Sequence, residues 1–424
     1  MNTAHGQIIK GDLAVEGAVG TSAWPEARDV RDLERIARAA LKGFKPPYVR
    51  PIFGEFQSWA PPYRQFSEYN IIDLWRPVAT LRFLADLTVP AQAKTTPDGA
   101  RFWLPSLFTR RIWRPTHFFR QPDEYGGFSS FPDEHWFFIN GIGTNADVAR
   151  INAAFLAHLF HRPLTVVQNA TNSLLVDLHE CAIGKGFKKE PKSDDRKTMT
   201  EPAWRATAAL LQALNAKHIE RVVVIAHSQG TIITSNVLRA VAHAFQSGVV
   251  REGYPGWHDF AKGMMGEVTS DTQKISRDNI AHSMSELSSE GRTEALRRMA
   301  KLEIYTFANC ADDMRYVAPP DPIPYMEHFA NERDLVAWLG ILSPLRGESD
   351  ALIEIDGPMR VRAGAWGHLL NEHYLAPIDD YLYPSPHRPP RESDPYPATG
   401  HGPTRSRLYD YFHGKRPEDL PTQS

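Results

Sequence analysis

Short, continuous apolar runs recur between residues 131 and 376, and stretches with the spacing of amphipathic helices lie between them. Runs of this kind are typical of strands that are buried on both faces of a parallel sheet. The runs that predict strands are 135–139, 164–168, 221–225, 302–307 and 325–330, and the stretches that predict helices are 146–160 and 201–216. Residues 351–355 and 359–363 predict a β-hairpin that bends at residues 356–358. Strands that alternate with helices predict an α/β fold, with a mostly parallel central sheet and helices on both faces.

The segment 221–233 carries the most specific pattern in the chain. A β-branched strand leads into a turn with Ser228 at its tip, and an apolar helix pattern follows. A turn of this kind holds a serine over the end of the sheet, as a nucleophile requires. Ala226 and Gly230 flank the serine, so alanine stands where the usual G-x-S-x-G pattern has its first glycine. The pattern predicts a nucleophile elbow at Ser228, and the alternative is an ordinary turn from strand to helix.

A nucleophilic serine needs a base, and it needs an acid that orients the base. On this type of elbow both groups follow later in the chain, the acid first. Asp334 comes just after the strand 325–330, and His368 lies on a glycine-containing loop after the strand 359–363. These two residues are the predicted acid and base. Three alternatives stay open, two for the acid and one for the base: Asp312, Asp313 and His373.

At these residues the chain resembles the α/β-hydrolase superfamily and, within it, the class 3 (fungal-type) lipases. Residues 331–336 look like the loop that carries the catalytic aspartate in those lipases, and residues 305–307 look like the preceding strand. Their catalytic histidine segment is matched by three residues: His368, Glu372 and Tyr374. The resemblance covers roughly residues 133–375, and it implies the α/β-hydrolase fold.

The resemblance also implies an activity. It implies a catalytic triad of Ser228, Asp334 and His368. Backbone N–H groups of Ile142 and Gln229 would form the oxyanion hole, although residues 140–145 can also be read as a plain strand-to-helix turn. The implied reaction is cleavage of a small-molecule carboxylic ester through an acyl-enzyme, with no cofactor and no metal. Two other functions stay open: an amidase, peptidase or acyltransferase with the same triad, and a hydrolase-like binding module that has lost catalysis.

Composition and charge narrow the possible partners and location. The 424 residues carry a net charge of −2, which gives no electrostatic case for binding nucleic acid or an anionic membrane. No apolar run approaches the roughly 18 residues of a membrane span, and residues 1–20 lack the pattern of a signal peptide. Cys181 and Cys310 predict no disulfide framework, which favours a cytoplasmic protein. His158 and His161 have a metal-compatible spacing, but no third ligand with suitable spacing accompanies them.

Three regions lie outside the predicted sheet. Residues 1–130 are rich in proline and aromatic residues, and we expect this N-terminal extension to pack on the catalytic domain, residues 131–376. Residues 247–300 are an insertion within that domain and a candidate lid, by analogy with other hydrolases. Residues 377–424 form a proline-rich tail, which predicts an irregular segment.

Overall fold

The computed structural model describes residues 63–71, 117–120, 131–141, 144, 146–169, 201–246, 296–314, 324–343, 353–382 and 406–419. The candidate lid, apart from residues 296–300, lies outside the described residues, and so does Ile142. Within the described ranges, no helix is both long enough and apolar enough to cross a membrane.

A seven-stranded sheet forms the centre of the fold. Its strands are β1 (His117–Arg120), β2 (Glu134–Ile139), β3 (Leu164–Gln168), β4 (Arg221–His227), β5 (Leu302–Phe307), β7 (Tyr325–Asn331) and β9 (Met359–Arg362). A second, small sheet consists of β6 (Asp313–Met314) and β8 (Glu354–Ile355). The strand order is β1-β3-β2-β4-β5-β7-β9. β1 is antiparallel to β3, and the remaining strands of the large sheet are mutually parallel.

Helices pack on the sheet in two layers. The α-helices are α1 (Ala146–Phe160), α2 (Glu201–Asn215), α3 (Gln229–Gln246), α4 (Leu335–Trp338) and α5 (Asp379–Leu382), and a π-helix spans Leu370–Leu375 within the described residues. Side chains of β4 alternate between the two layers because successive residues of a strand point to opposite faces. Val222 and Val224 pack in the core that contains α2 and α3, whereas Val223 and Ile225 pack in the core that contains α1. The predicted α/β architecture, with a mostly parallel sheet and helices on both faces, is confirmed.

The predicted hairpin of residues 351–355 with 359–363 is wrong. β8 pairs in parallel with β6, and β9 pairs in parallel with β7. A hairpin requires its two arms to exchange backbone hydrogen bonds, and here those bonds go to other strands. Gly357, with a φ of 103°, lies where the chain passes from the small sheet to the large one. The turn-like sequence at 356–358 therefore redirects the chain without folding it back on itself.

The described parts of the N-terminal extension and of the C-terminal tail pack on the central domain. β1 comes from the N-terminal extension, which thus supplies an edge strand of the large sheet. Residues 63–71 pack on α1 through Phe66, whose ring stacks on Phe155 with centroids 4.8 Å apart. Residues 406–419 of the tail lie at the amino ends of the strands, where they bind buried carboxylates of β2, β5 and β7. The opposite, carboxyl ends of the strands carry Ser228.

Candidate active site

Ser228 lies between β4 and α3, at the carboxyl end of a central strand. Its φ of 56° is left-handed, a value that is uncommon for a residue with a side chain and typical of a sharp strand-to-helix turn. The Ser228 N–H donates to Phe307 O of β5 at 3.0 Å, and the Ser228 carbonyl accepts from Thr231 N–H at 2.8 Å. Hydrogen bonds on both sides therefore hold the serine in its strained conformation.

Two glycines let the neighbouring backbone approach this turn. A Cβ atom on Gly230 would lie 2.2 Å from Ile139 O, so no side chain fits where α3 passes the end of β2. A Cβ atom on Gly141 would lie 2.6 Å from the Cβ of Ser228. Ala226 is fully buried within β4, and its methyl group leaves the close approach at Gly230 intact. The alanine in the first position of the motif is therefore compatible with the turn.

Side chains that follow three different strands meet at the serine. Ser228 follows β4, Asp334 follows β7 and His368 follows β9. His368 Nε2 lies 2.9 Å from Ser228 Oγ, and His368 Nδ1 lies 2.8 Å from Asp334 Oδ2. The structure thus brings together all three predicted residues. An imidazole held between a hydroxyl and a carboxylate can take the hydroxyl proton, and the carboxylate then stabilises the positive charge of the imidazolium.

The Asp334 carboxylate is buried and hydrogen-bonded on both oxygens. Oδ1 accepts from Val336 N–H at 2.9 Å, and Oδ2 accepts from Tyr374 Oη at 2.6 Å as well as from His368 Nδ1. Burial alone would raise the pKa of Asp334, but the attraction to His368 and these hydrogen bonds hold the pKa below its ordinary value. Because an ionised Oδ2 only accepts, His368 Nδ1 carries a hydrogen and Nε2 is free to act as the base.

His227, next to the serine, contacts the backbone of His368. Its Nε2 lies 2.9 Å from the carbonyl oxygen of His368, and because a carbonyl only accepts, this Nε2 carries a hydrogen. The two imidazole rings lie 4.8 Å apart. Burial, and then the proximity of His368, lower the pKa of His227 to about 3. His227 is therefore neutral beside a base that becomes charged when it works.

The alternative base, His373, contacts the loop of His368 instead. His373 Nδ1 accepts from Leu369 N–H at 2.9 Å. Its ring lies against Gly367, where a Cβ atom would come within 2.4 Å of the ring and where φ is 105°. His373 therefore helps to shape the loop that carries His368, and the imidazole at Ser228 Oγ is that of His368.

The alternative acids, Asp312 and Asp313, follow β5. Asp313 lies on β6, and its Oδ2 is 3.7 Å from Arg239 of α3. The Asp312 carbonyl accepts from the backbone N–H of Glu354 at 2.6 Å, which joins this segment to β8. In this conformation the carboxylate that contacts the His368 ring is that of Asp334.

One of the two expected oxyanion donors lies within the described residues. Gln229 is buried and is the first residue of α3, where backbone N–H groups have no partner inside the helix. Its Oε1 accepts from Asn169 Nδ2 at 2.9 Å, and the Asn169 backbone N–H donates to Asn140 Oδ1 at 2.9 Å. This network ties the residue after the serine to the ends of β2 and β3. Ile142, the other expected donor, is outside the described residues.

Tyr374 belongs to the site, although the sequence assigned it no role. It is fully buried, and its hydroxyl accepts from Asn331 N–H at 3.3 Å while it donates to Asp334. The resemblance placed Tyr374 in the histidine segment, but only the three-dimensional contact shows which atom it touches.

Among the described residues, no group of three or more histidine, cysteine, aspartate and glutamate side chains is arranged to hold a metal ion. Comparison with known protein families finds no family model that matches this chain, and comparison with curated proteins finds no match either. What the protein does must therefore be inferred from the residues around Ser228.

Proposed function

We propose that this protein is a serine hydrolase that cleaves carboxylic esters on an α/β-hydrolase fold. One observation carries the proposal: a left-handed Ser228 at the end of β4 is joined through His368 to the buried carboxylate of Asp334. The chain order serine, acid, histidine and the strand–turn–helix around the serine are the α/β-hydrolase arrangement. The mostly parallel sheet with helices on both faces is compatible with that fold.

In the proposed mechanism, Ser228 Oγ attacks the ester carbonyl carbon while His368 Nε2 takes the hydroxyl proton. The imidazolium then gives this proton to the departing alkoxide, and the acyl-enzyme remains. Asp334 stabilises the imidazolium and keeps the hydrogen on Nδ1. A water molecule attacks the acyl-enzyme with His368 again as the base, which releases the carboxylic acid and restores the serine.

Negative charge develops on the carbonyl oxygen in both tetrahedral intermediates. The backbone N–H of Gln229 at the start of α3 is one donor to this oxygen, and the N–H of Ile142 is the other by resemblance. A donor of this kind lowers the barrier by about 3 kcal/mol. The fixed Asn140–Asn169–Gln229 network supports the proposal because a preorganised donor needs no rearrangement during the reaction.

Esters are preferred over amides in this proposal because an alkoxide leaves with less assistance than an amine does. The same triad can serve an amidase, a peptidase or an acyltransferase, so a p-nitrophenyl ester and the matching p-nitroanilide should be compared. A binding module without catalysis is the weakest alternative. Both hydrogen bonds of the triad are formed, and a module that only binds a ligand has no need of them.

A fluorophosphonate probe tests the proposal most directly. Such a probe phosphonylates only a serine whose hydroxyl is activated by a neighbouring base. We expect stoichiometric labelling, with the probe located on the peptide that contains Ser228 by mass spectrometry. Heat-unfolded protein, in which the triad is dispersed, is the control and should not react. Labelling of another serine, or none in the folded protein, would contradict the proposal.

We expect Tyr374→Phe to lower kcat for a p-nitrophenyl ester by about 10-fold with KM little changed, because a hydrogen bond to a charged group contributes about 1.5 kcal/mol or more. Without the hydroxyl, the pKa of Asp334 rises toward its ordinary value. The measurements are kcat and KM from initial rates between pH 5 and pH 9, a range that extends about two units to each side of neutrality.

The matched control for this variant is Tyr381→Phe. Tyr381 is also buried, its ring stacks on that of Tyr374 with centroids 5.9 Å apart, and its hydroxyl donates to Asn331 Oδ1 at 2.6 Å. Its loss removes a buried hydrogen bond of similar length but none to Asp334. Equal losses of kcat in the two variants would show that Tyr374 acts through general stability and not through the acid.

A further inference from the structure

A short helix links His368 to the rest of the fold. This π-helix, Leu370–Leu375, begins two residues after His368. One side of the helix serves the triad, since Tyr374 donates to Asp334 and His373 accepts from the Leu369 N–H. The position of the helix therefore sets the position of the loop that presents the imidazole.

The start of this helix is capped by a distant part of the chain. Leu369 stands at the N-cap position and has no side-chain cap. The N–H of Asn371, in the first turn, donates instead to Glu68 Oε2 at 3.0 Å, across 303 positions of sequence. First-turn N–H groups need such acceptors because they have no partner within the helix.

Residues 63–71, which we call the N-terminal clamp, hold the helix at two further points. Ser67 Oγ donates to Glu372 Oε1. The Asn371 amide donates through Nδ2 to Phe66 O at 2.8 Å and to Ile151 O of α1 at 3.2 Å. The clamp, α1 and the π-helix thus meet at Asn371.

Two carboxyl groups are buried at this junction. Glu68 is 8% exposed and Glu372 is 0% exposed. Removing a carboxyl group from water is costly, and a second one nearby adds repulsion when both are ionised. A core that only filled space would use apolar residues here, so the buried pair points to a specific role for the contact.

We propose that Glu68 is a positioning residue for His368: it caps the π-helix from the N-terminal clamp and so fixes where the imidazole stands between Ser228 and Asp334. The effect on catalysis rests on the proposed serine hydrolase function. The capping itself does not, and it can be tested without turnover. The role of this part of the N-terminal extension is then to hold the histidine segment in register with the serine.

The ionisation of Glu68 gives the contact a pH dependence. Burial, and to a lesser extent the charge of Glu372, raise the pKa of Glu68 to about 7, although hydrogen bonds from the backbones of Asn371 and Glu372 and from the side chain of Asn152 act to lower it. The titratable groups that face Glu68 are Glu372 on the π-helix and Tyr69 on the clamp. Because the folded pKa is above the ordinary value of 4.5, the stability that Glu68 contributes is complete below that pH and is lost as pH rises toward 7.

Glu68→Ala in the full chain tests the positioning role. We expect kcat per labelled active site to fall by about 10- to 100-fold with KM within about 2-fold, as when a remote change misplaces a reacting group. Hydrogen exchange in the peptide 364–375 should become faster, whereas exchange in β2 and β4 should not change. Glu68→Gln keeps an acceptor oxygen and should restore both kcat and protection near pH 6.

Asp147→Asn is the control for loss of a carboxylate on the same side of the fold, since Asp147 lies on α1 with its side chain 70% exposed. It should leave kcat and exchange unchanged. A folded Glu68→Ala variant with wild-type kcat and wild-type exchange in 364–375 would overturn the proposal. Should the wild type turn over no ester, the proposed function fails, and the exchange measurement still decides whether Glu68 holds the helix.

Glu68→Gln also decides the matter if Glu68→Ala does not fold. Glutamine never ionises, so its thermal midpoint should rise relative to wild type as pH goes from 5 to 8, the range in which Glu68 loses its proton. At pH 5, where the wild-type carboxyl is largely protonated in the folded state, the two midpoints should nearly coincide. A difference between the midpoints that is the same at both pH values would overturn the proposal.

Discussion

Ser228→Ala is expected to lower kcat/KM for a p-nitrophenyl ester by about 10⁴-fold or more, because the members of a triad act as a unit. The fold should survive. Alanine and serine share a Cβ atom, so the left-handed turn with a φ of 56° is equally strained in both. The variant loses only the Oγ that His368 Nε2 approaches at 2.9 Å. Initial rates measure the loss of activity, and circular dichroism shows whether the fold survives.

Ser235→Ala is the matched control for that variant. Ser235 is also buried, lies on α3 seven residues later, and donates its hydroxyl to the Asp313 carbonyl. Its substitution removes a buried serine hydroxyl without touching His368, so the rate should stay close to that of wild type. Appreciable turnover by a cleanly folded Ser228→Ala variant would mean that the nucleophile lies elsewhere.

Much of the sheet was predictable because local sequence and tertiary environment agree there. The β-branched run 222–225 has apolar side chains for both faces, so only a strand between two helix layers can bury it. Ser228 was predictable for the same reason: strand, glycine turn and apolar helix follow one another without interruption. Asp334 and His368 could be placed only at the ends of their strands, and Asp312, Asp313 and His373 remained alternatives.

What the sequence could not supply is the choice of partner across long separations. Residues 359–362 have the composition of a hairpin arm, yet β9 pairs in parallel with β7, and β8 pairs in parallel with β6. Glu68 is separated from Asn371 by 303 positions and lies in a segment whose pattern indicated only packing. The resemblance placed Tyr374 in the histidine segment, but nothing in the sequence indicated that its hydroxyl donates to Asp334. In each case the decisive contact is a hydrogen bond that no periodic pattern in the sequence marks.

Asp334→Asn should reduce kcat by about 10⁴-fold, close to the effect of losing the base itself. Oδ1 accepts from Val336 N–H, so the amide oxygen of asparagine must take that place and the NH₂ group must take the place of Oδ2. There it faces His368 Nδ1, which lies 2.8 Å from Oδ2 and now has to accept. The ring then carries its hydrogen on Nε2, and an Nε2–H cannot take the proton of Ser228.

Asp313→Asn is the matched control for the acid, since Asp313 is an equally buried aspartate whose Oδ2 lies 3.7 Å from Arg239. It should alter stability more than rate. The Asp334 variant should fold normally because Tyr374 Oη can turn from donor to acceptor against the new NH₂ group, whereas the imidazole can do so only by changing tautomer. Fluorophosphonate labelling of Asp334→Asn should therefore slow in parallel with kcat, because both reactions need the same unprotonated Nε2. A normal rate in Asp334→Asn with a crippled Asp313→Asn would instead place the acid after β5.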